Sequence, residues 1–182
     1  MDTKNIIAEA AFKLFEELPF EEITVQKILD RAHVSRRTFY KFFPDKYALM
    51  HMYYYAFMDR NIKENYDGHN WVDVSENTLK FVSGRKEYIN NVKDTQGQDS
   101  FWDFLRQYGF AFYRSVKLRN EKREELTERE RLTIIGANEA AIAILKQYIE
   151  GMEEMDRRET AELICSFIPK SYQELPIRSS SS

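Results

Sequence analysis

Residues 23–46, with the sequence ITVQKILDRAHVSRRTFYKFFPDK, constrain the fold more than any other part of the chain. Thr24 is a favourable N-cap for a helix over residues 25–32, and Ser35 is a favourable N-cap for a second helix over residues 36–43. Because so few residues separate the two helices, a tight turn must join them. The stretch therefore predicts a compact pair of short helices.

The same stretch is basic although the chain as a whole is acidic. It contains six Lys or Arg residues and two Asp residues, a net charge of +4, whereas the whole chain has a net charge of −3. Localised positive charge on a helical hairpin is typical of a surface that binds a polyanion. Phe39 and Phe43 are four residues apart and are expected to face inward. The side chains that are then expected to point largely outward are Arg36, Arg37, Thr38, Tyr40 and Lys41.

A further helix is predicted before this hairpin, over residues 4–18. Its apolar residues recur at spacings of three and four: Ile7, Ala10, Ala11, Leu14, Phe15 and Leu18. Pro19 ends the helix, and Phe20 and Ile23 are expected to fold back under the hairpin. The predicted core of this three-helix unit contains Leu14, Phe15, Ile28, Leu29, Phe39 and Phe43. The alternative is a small helical subdomain without a ligand, which would give the basic outward face no purpose.

Three segments, AEAAFKLFEE, ITVQKILDRA and VSRRTFYKFFPDKYAL, together resemble the N-terminal domain of the TetR family of bacterial transcriptional regulators. The departures are His33 and Arg37, where family members commonly carry glycine, and Phe42, where a polar residue is common. Histidine can adopt the left-handed turn conformation. The resemblance implies a helix-turn-helix DNA-binding domain over residues 1–46 and a helical effector-binding and dimerisation domain over residues 47–176.

The resemblance and the outward-facing side chains together define the candidate DNA-binding residues. The candidates for base edges are Arg36, Arg37 and Thr38. The candidates for phosphates are Thr24, Tyr40, Lys41 and Lys46. Phe42 is a candidate for contact with a sugar or a thymine methyl group.

Composition supports a helical fold and argues against several other classes of protein. Six glycines, four prolines and 43% hydrophobic residues favour ordered helices over a loop-rich β fold. No run of eighteen apolar residues and no basic-then-apolar leader occurs, so a cytoplasmic location is expected. Cys165 is the single cysteine, which excludes an intrachain disulfide, and its apolar setting favours a buried position.

The rest of the chain also has helical patterns. Asp45 is a candidate N-cap for a connector helix over residues 46–65 that is apolar nearly all round. The turn Asp67-Gly68-His69-Asn70 marks the predicted boundary, and further helices are predicted over residues 71–83, 86–93 and 100–119. Thr127 and Glu130 have capping-box spacing after a charged connector. Residues 177–182, which end in four serines, are predicted to be a disordered tail.

The last two predicted helices have the composition of an interface. Small residues alternate with Ile and Leu over residues 132–149. Asp156 and Glu159 can cap the final helix, and Pro169 is expected to kink or end it. The candidate dimer-interface residues are Ile135, Ala137, Ala141, Leu145, Tyr148, Leu163 and Phe167. An intrachain core explains the same pattern. The resemblance favours dimerisation, because TetR-like proteins pair through their last two helices as a four-helix bundle.

Aromatic residues are abundant in the connector and middle helices. Those that are candidates for lining an effector pocket are Tyr54, Phe57, Trp71, Phe81, Tyr88, Trp102, Tyr108 and Phe112. Aromatic residues at helical spacing are more often core residues, yet buried Tyr and Trp need hydrogen-bond partners, which suits a mostly apolar pocket. The resemblance implies a small apolar or aromatic effector there.

No catalytic or metal-binding constellation is present in the sequence. His33, His51 and His69 are isolated, and there is no phosphate-binding glycine loop or nucleophile elbow. We therefore expect no enzyme activity, no cofactor and no metal. The interpretation is an all-α homodimeric regulator, a repressor more often than an activator, that binds a palindromic operator in double-stranded DNA and responds to an effector.

Two other interpretations stay open. The overall layout resembles the subgroup related to dihydroxyacetone kinase operon regulators, in which a partner protein can replace the small effector. A helical protein-interaction module that does not bind DNA would keep the helices without needing the basic side chains. An enzyme on a helical scaffold is a more distant alternative.

Overall fold

The computed structural model describes residues 2–64, 70–97, 99–151, 154 and 156–177, and every regular element within them is helical. The all-α prediction is therefore confirmed. In chain order the elements are α1 (Thr3–Glu17), a 3₁₀ turn (Phe20–Glu22), α2 (Val25–Ala32), α3 (Arg36–Phe42), α4 (Lys46–Glu64), α5 (Trp71–Gly84), α6 (Lys86–Val92), α7 (Phe101–Glu121), α8 (Glu128–Glu150), α9 (Arg157–Ser166) and the short α10 (Lys170–Gln173). None of the helices in these ranges is long and apolar enough to span a bilayer.

The chain divides into two compact units. The first is drawn from Met1–Phe57 and Arg85–Phe104, and the second from Met58–Gly84 and Leu105–Ser182. Helices α4 and α7 contribute residues to both. The predicted domain boundary follows residue 46. The first compact unit differs from that prediction, because it also contains the start of α4 and all of α6. Residues 67–69 of the predicted boundary turn lie outside the described residues.

The core of the first unit forms where α1, α2 and α3 meet. All six predicted core residues are buried: Leu14, Phe15, Ile28, Leu29, Phe39 and Phe43. Phe20 and Ile23 are buried as well, because the 3₁₀ turn after Pro19 directs them back toward α1 and α2. The rings of Phe15 and Phe20 lie 5.8 Å apart between centroids. The hydrophobic periodicity of the first helix therefore identified the side that packs inward.

Helix α6 packs against α1 within the same unit, which the sequence did not predict. The side-chain amide of Asn91 donates to the backbone oxygen of Phe15 (2.9 Å). Glu16 of α1 accepts from the hydroxyl of Tyr53 (2.6 Å) and from the guanidinium of Arg85 (3.1 Å). These bonds satisfy polar groups at the end of α1 and fix α4 and α6 against it.

The second unit has its own core, which is centred on Trp71. The Trp71 indole stacks on the Tyr113 ring with centroids 5.1 Å apart, and its N–H donates to the backbone oxygen of Tyr172 (2.8 Å). The buried residues of this core are Trp71, Tyr113, Val116, Ile134, Cys165, Ile168, Tyr172 and Ile177. The prediction of a disordered tail from residue 177 is therefore wrong for Ile177, whose apolar side chain is buried there. Residues 178–182 lie outside the described residues.

Helix α8 begins at Glu128, directly after its N-cap Thr127, because the predicted capping box forms. The Glu130 amide donates to the Thr127 hydroxyl (3.3 Å), and the Thr127 amide donates to the Glu130 carboxylate (2.8 Å). Glu130 also accepts from Arg123 (2.6 Å). These bonds lower the pKa of the Glu130 carboxyl to about 2, with the Arg123 hydrogen bond as the largest cause.

Helix α9 is shorter than the sequence pattern predicted. Asp156 caps it by accepting from the Glu159 amide (2.9 Å), as expected. The helix ends at Ser166, and after Pro169 the chain forms α10, which the sequence did not predict. Arg158 joins α9 to α5 through ion pairs to Asp73 (2.9 Å) and Glu76 (2.8 Å).

Candidate nucleic-acid interface

The turn between α2 and α3 is held by local hydrogen bonds and one left-handed residue. The Lys27 amide donates to the Thr24 hydroxyl (3.2 Å), and the Thr38 amide donates to the Ser35 hydroxyl (3.1 Å). His33 has φ 52° and ψ 44°, which is the left-handed conformation predicted for this turn. The helix starts and the turn are therefore set by residues within the hairpin itself.

Helix α3 buries one side and exposes the other. Phe39 is fully buried, and Phe43, the residue that follows the helix, is buried beside it with ring centroids 6.0 Å apart. The exposed side chains of the helix are Arg36, Arg37, Tyr40 and Lys41, whereas Thr38 and Phe42 are half-buried. The resulting exposed surface combines two guanidinium groups, an ammonium group and a phenol, which suits contacts with phosphates and base edges.

The three candidates for base contacts lie together at the start of α3. Arg37 is exposed. The hydroxyl of Thr38 lies 2.8 Å from the Ser35 hydroxyl and shares a hydrogen bond with it. The Arg36 guanidinium donates to the side-chain oxygen of Gln26 on α2 (3.2 Å). Gln26 was not among the predicted functional residues, because its link to Arg36 spans ten positions and leaves no local sequence pattern.

The candidate phosphate-binding side chains differ in their exposure and in their hydrogen bonds. Tyr40 is 49% exposed, and Lys41 is exposed with its ammonium nitrogen 5.4 Å from the centroid of the Phe42 ring. Thr24 uses its hydroxyl oxygen as the cap acceptor, which leaves the hydroxyl proton for a further acceptor.

Lys46 is directed toward the protein itself. Its ammonium group donates to the backbone oxygen of Phe20 (2.7 Å) and lies 4.2 Å from the centroid of the Phe20 ring. Burial lowers the pKa of the Lys46 ammonium group. A phosphate contact by Lys46 stays a prediction, and it requires the side chain to leave this carbonyl.

The candidate pocket aromatics are divided between the two units. Tyr54, Tyr88 and Trp102 belong to the first, and Trp71, Phe81, Tyr108 and Phe112 to the second. Phe57 belongs to the first, but its side chain lies outside the described part of the chain.

Several of these aromatic side chains donate hydrogen bonds to backbone oxygens. Tyr88 donates to the backbone oxygen of Met50 (3.2 Å), and the Trp102 indole donates to that of Lys93 (2.7 Å). Together with the Trp71 bond to Tyr172, these contacts satisfy buried polar atoms within each core. Core packing therefore accounts for several members of the candidate set.

The candidate dimer residues fall into two groups by exposure. Ala137, Leu145 and Tyr148 are buried within the chain, so they are not available to a partner subunit in this conformation. Ile135 and Ala141 are half-buried. Leu163 is 45% exposed and Phe167 is 51% exposed. Leu132, which was not predicted, is 54% exposed.

Other reactive groups are few in the part of the chain that the structure describes. Cys165 is buried with its sulfur 3.5 Å from the Ser75 hydroxyl, and burial raises the pKa of its thiol. No group of three or more His, Cys, Asp or Glu residues within the described ranges is arranged to hold a metal ion.

Comparison with known proteins supports the helix-turn-helix. Residues 7–52 match the family model of the bacterial regulatory proteins of the tetR family. A search of the curated proteins gave no match. The matched segment contains α2, α3 and the turn between them, and therefore the exposed basic surface described above.

Solved structures share the fold over nearly the whole chain. The Dihydroxyacetone kinase operon activator DhaS is 18% identical with a TM-score of 0.61, covering 96% of this chain and 98% of its own. A TetR transcriptional regulator from Streptococcus agalactiae 2603V is 19% identical with a TM-score of 0.65, covering 92% and 94%. A tetR-family transcriptional regulator from Streptomyces coelicolor is 16% identical with a TM-score of 0.59, covering 92% and 80%.

The family match and the geometry agree on the same residues. The matched segment carries two capped helices, a left-handed turn and an outward-facing basic helix, which are the parts a helix-turn-helix needs to dock on a duplex. Residues 7–52 therefore form a helix-turn-helix domain similar to that of the bacterial regulatory proteins of the tetR family.

Proposed function

We propose that this protein is a sequence-specific regulator in which each of two copies inserts α3 into the major groove of a palindromic operator. The observation that carries the proposal is the exposed basic surface of α3 opposite the fully buried Phe39. In this arrangement Arg36, Arg37 and Thr38 contact base edges, because they lie together at the start of the helix.

The remaining contacts go to the DNA backbone. Lys41 and Tyr40 reach phosphates from the exposed side of α3, and Thr24 donates its hydroxyl proton from the start of α2. Lys46 reaches a phosphate only after it releases the Phe20 oxygen, and Phe42 packs on a sugar or a thymine methyl group. Such backbone contacts make affinity fall steeply with salt.

Dimerisation is proposed through the exposed apolar residues of α8 and of the end of α9. Leu132, Leu163 and Phe167 are each about half exposed, and Ile135 and Ala141 are half-buried. Large apolar side chains exposed on the last two long helices lose unfavourable contact with water when a second copy covers them. A two-fold pair then presents two copies of α3, which is why a palindromic operator is expected.

Effector control is proposed for the helical region after the helix-turn-helix. Binding there would favour a conformation with lower affinity for DNA, so that the effector releases a repressor from its operator. The alternative is control by a partner protein, with activation as the outcome. The similarity in fold to the Dihydroxyacetone kinase operon activator DhaS favours keeping this alternative.

Selection of duplexes from a random library tests the proposed function. The full chain is expected to enrich a palindromic sequence and to bind it as two copies per duplex, measured by native mass spectrometry. Failure to enrich any sequence would contradict the proposal. It would favour a helical interaction module that does not bind DNA.

A second measurement separates small-molecule control from partner control. A panel of apolar and aromatic compounds is added to the protein bound to its selected duplex, and anisotropy and melting temperature are recorded. A compound that raises the melting temperature of the free protein and weakens DNA binding supports a small effector. If no compound changes either quantity, control by a partner protein is favoured.

A further inference from the structure

We infer that Gln26 is a positioning residue for Arg36, with Asp30 as its anchor, and that this three-residue relay sets how selectively α3 reads DNA. The inference rests on the proposed function, because it assumes that Arg36 contacts a base. Neither Gln26 nor Asp30 is among the DNA-binding residues predicted from the sequence. Gln26 and Asp30 lie on α2, whereas Arg36 is the first residue of α3.

The relay is a chain of two hydrogen bonds that crosses from α2 to α3. The Gln26 amide nitrogen donates to the Asp30 carboxylate (2.8 Å), and the Gln26 oxygen accepts from the Arg36 guanidinium (3.2 Å). Gln26 and Asp30 are four residues apart and therefore lie on the same side of α2. The Arg36 side chain is thus tied to the neighbouring helix in the absence of DNA.

The two charged neighbours fix the orientation of the Gln26 amide. A guanidinium only donates and an ionised carboxylate only accepts, so the amide must turn its oxygen toward Arg36 and its nitrogen toward Asp30. The reverse orientation would place donors against donors and acceptors against acceptors. Because the amide dipole is aligned between a cation and an anion, each hydrogen bond strengthens the other.

A neutral bridge holds Arg36 without neutralising it. The contrast is Arg31, whose guanidinium is paired directly with the Glu17 carboxylate (2.7 Å). A direct carboxylate partner would compete with a base or phosphate for the guanidinium, whereas the Gln26 oxygen occupies one N–H group. The other N–H groups keep the fork geometry that suits bidentate contact with a guanine.

The expected consequence is selectivity more than overall affinity. An arginine that is already oriented loses less side-chain entropy when it binds a base in one geometry. On unrelated DNA the same side chain needs only a phosphate, which tolerates many orientations. The relay therefore favours the selected duplex over unrelated duplexes.

A double-mutant cycle tests whether Gln26 acts through Arg36. The affinities of the parent, Gln26→Ala, Arg36→Ala and the double variant are measured by anisotropy on the duplex selected by the parent and on a scrambled duplex. Gln26→Ala is expected to lower the ratio of the two affinities by about tenfold, within the range of one base contact. In the Arg36→Ala background the same change is expected to alter the ratio by less than about twofold.

Asp30→Ala gives a second readout that a purely structural role would not produce. Removing a negative charge near DNA raises affinity for the scrambled duplex, while loss of the Gln26 anchor lowers the ratio of selected to scrambled affinity. Glu9→Ala, at an exposed carboxylate on α1, is the matched control. It also removes one negative charge, and it is expected to leave the ratio of selected to scrambled affinity unchanged.

The outcomes distinguish the inference from the proposed function. A parent that selects no duplex overturns both. If the parent selects a duplex but Gln26→Ala lowers the ratio equally with and without Arg36, Gln26 contacts DNA by itself and the relay is wrong. An unchanged ratio in both Gln26→Ala and Asp30→Ala also overturns it. Thermal melting of each variant checks that the fold is retained, which is expected because all three side chains are exposed.

Discussion

A β-carbon added to Gly109 on α7 would lie 2.1 Å from the side-chain oxygen of Asn138 on α8. Asn138 is only 6% exposed, and its amide nitrogen donates to the backbone oxygen of Arg106 on α7 (2.9 Å). A real β-carbon cannot approach an oxygen so closely, so the amide fits because residue 109 has no side chain. The pair fixes the position at which α8 crosses α7.

Gly109→Ala is expected to destabilise the protein although alanine favours a helix. The helix propensity gain is about 1 kcal/mol, whereas overpacking and loss of the buried Asn138 hydrogen bond cost about 1–3 kcal/mol each. We expect a net loss of about 1–5 kcal/mol in the free energy of unfolding, measured with urea.

Gly84→Ala is the control for this substitution. A β-carbon at Gly84 meets no atom within 4 Å, so no loss of stability is expected. If Gly109→Ala were as stable as the parent, Asn138 would not fix the crossing of the two helices.

The capping box of α8 predicts a pH-dependent contribution to stability. The pKa of Glu130 falls from an ordinary 4.5 to about 2, chiefly because Arg123 and the Thr127 amide donate to the carboxylate. Since the folded-state pKa is the lower one, the stabilisation is fully present above pH 4.5 and is lost as pH falls toward 2. Glu130→Gln keeps the cap but loses the charge.

The measurement is urea unfolding of the parent and Glu130→Gln across this pH range. The parent is expected to be the more stable at neutral pH, and the difference should disappear at the acid end. A difference that stays constant with pH would contradict the ion pair. Glu125→Gln, at an exposed neighbouring residue, controls for the loss of one charge.

Phe167→Glu is expected to weaken dimerisation. Phe167 is 51% exposed in one chain, and a charge buried against a second copy is costly. The dimer dissociation constant should rise by about 30-fold or more, the scale of an interface hot spot. Sedimentation equilibrium measures it. Asn90→Glu, at an exposed residue of α6, is the control and should leave the dimer dissociation constant unchanged. If Phe167→Glu also left this constant unchanged, the dimer interface would lie elsewhere.

The sequence predicted the helix-turn-helix well because its determinants are local. Thr24 and Ser35 cap helices that begin at the next residue, and His33 takes the left-handed turn. Each cap and the turn depend on residues only a few positions away, so a local sequence pattern is enough to predict them. The six predicted core residues were buried for the same reason, since helical periodicity identifies one side of a helix.

The candidate interface was harder to predict because small and apolar residues alternate on several sides of α8. Ala137 and Tyr148 satisfied the sequence pattern but are buried within the chain, whereas Leu132 was not selected and is exposed. Which side faces outward depends on α5, α7 and α9, and their packing is set by distant residues. Gln26 was missed for a related reason, because Arg36 meets it only once the hairpin has folded.

Lys41→Ala is expected to reduce the salt dependence of DNA binding. Each phosphate contact releases about one counterion, so the slope of log affinity against log salt should become shallower by about one per subunit, or about two for two copies on one duplex. The selected and scrambled duplexes should be affected alike, because a phosphate carries no sequence information. Lys80→Ala, at an exposed lysine on α5, is the control. An unchanged slope in Lys41→Ala would show that Lys41 does not contact a phosphate.

Whether α3 reads DNA sequence can be measured with one variant, Arg37→Ala. The ratio of affinities for the selected and scrambled duplexes is determined for this variant and for the parent at one salt concentration. Arg37 is exposed at the start of α3, so its loss should leave the fold intact. The ratio is expected to fall by an amount equivalent to about 1–3 kcal/mol per subunit, the scale of one bidentate base contact. A ratio equal to that of the parent would contradict the claim that this end of α3 reads DNA sequence through Arg37.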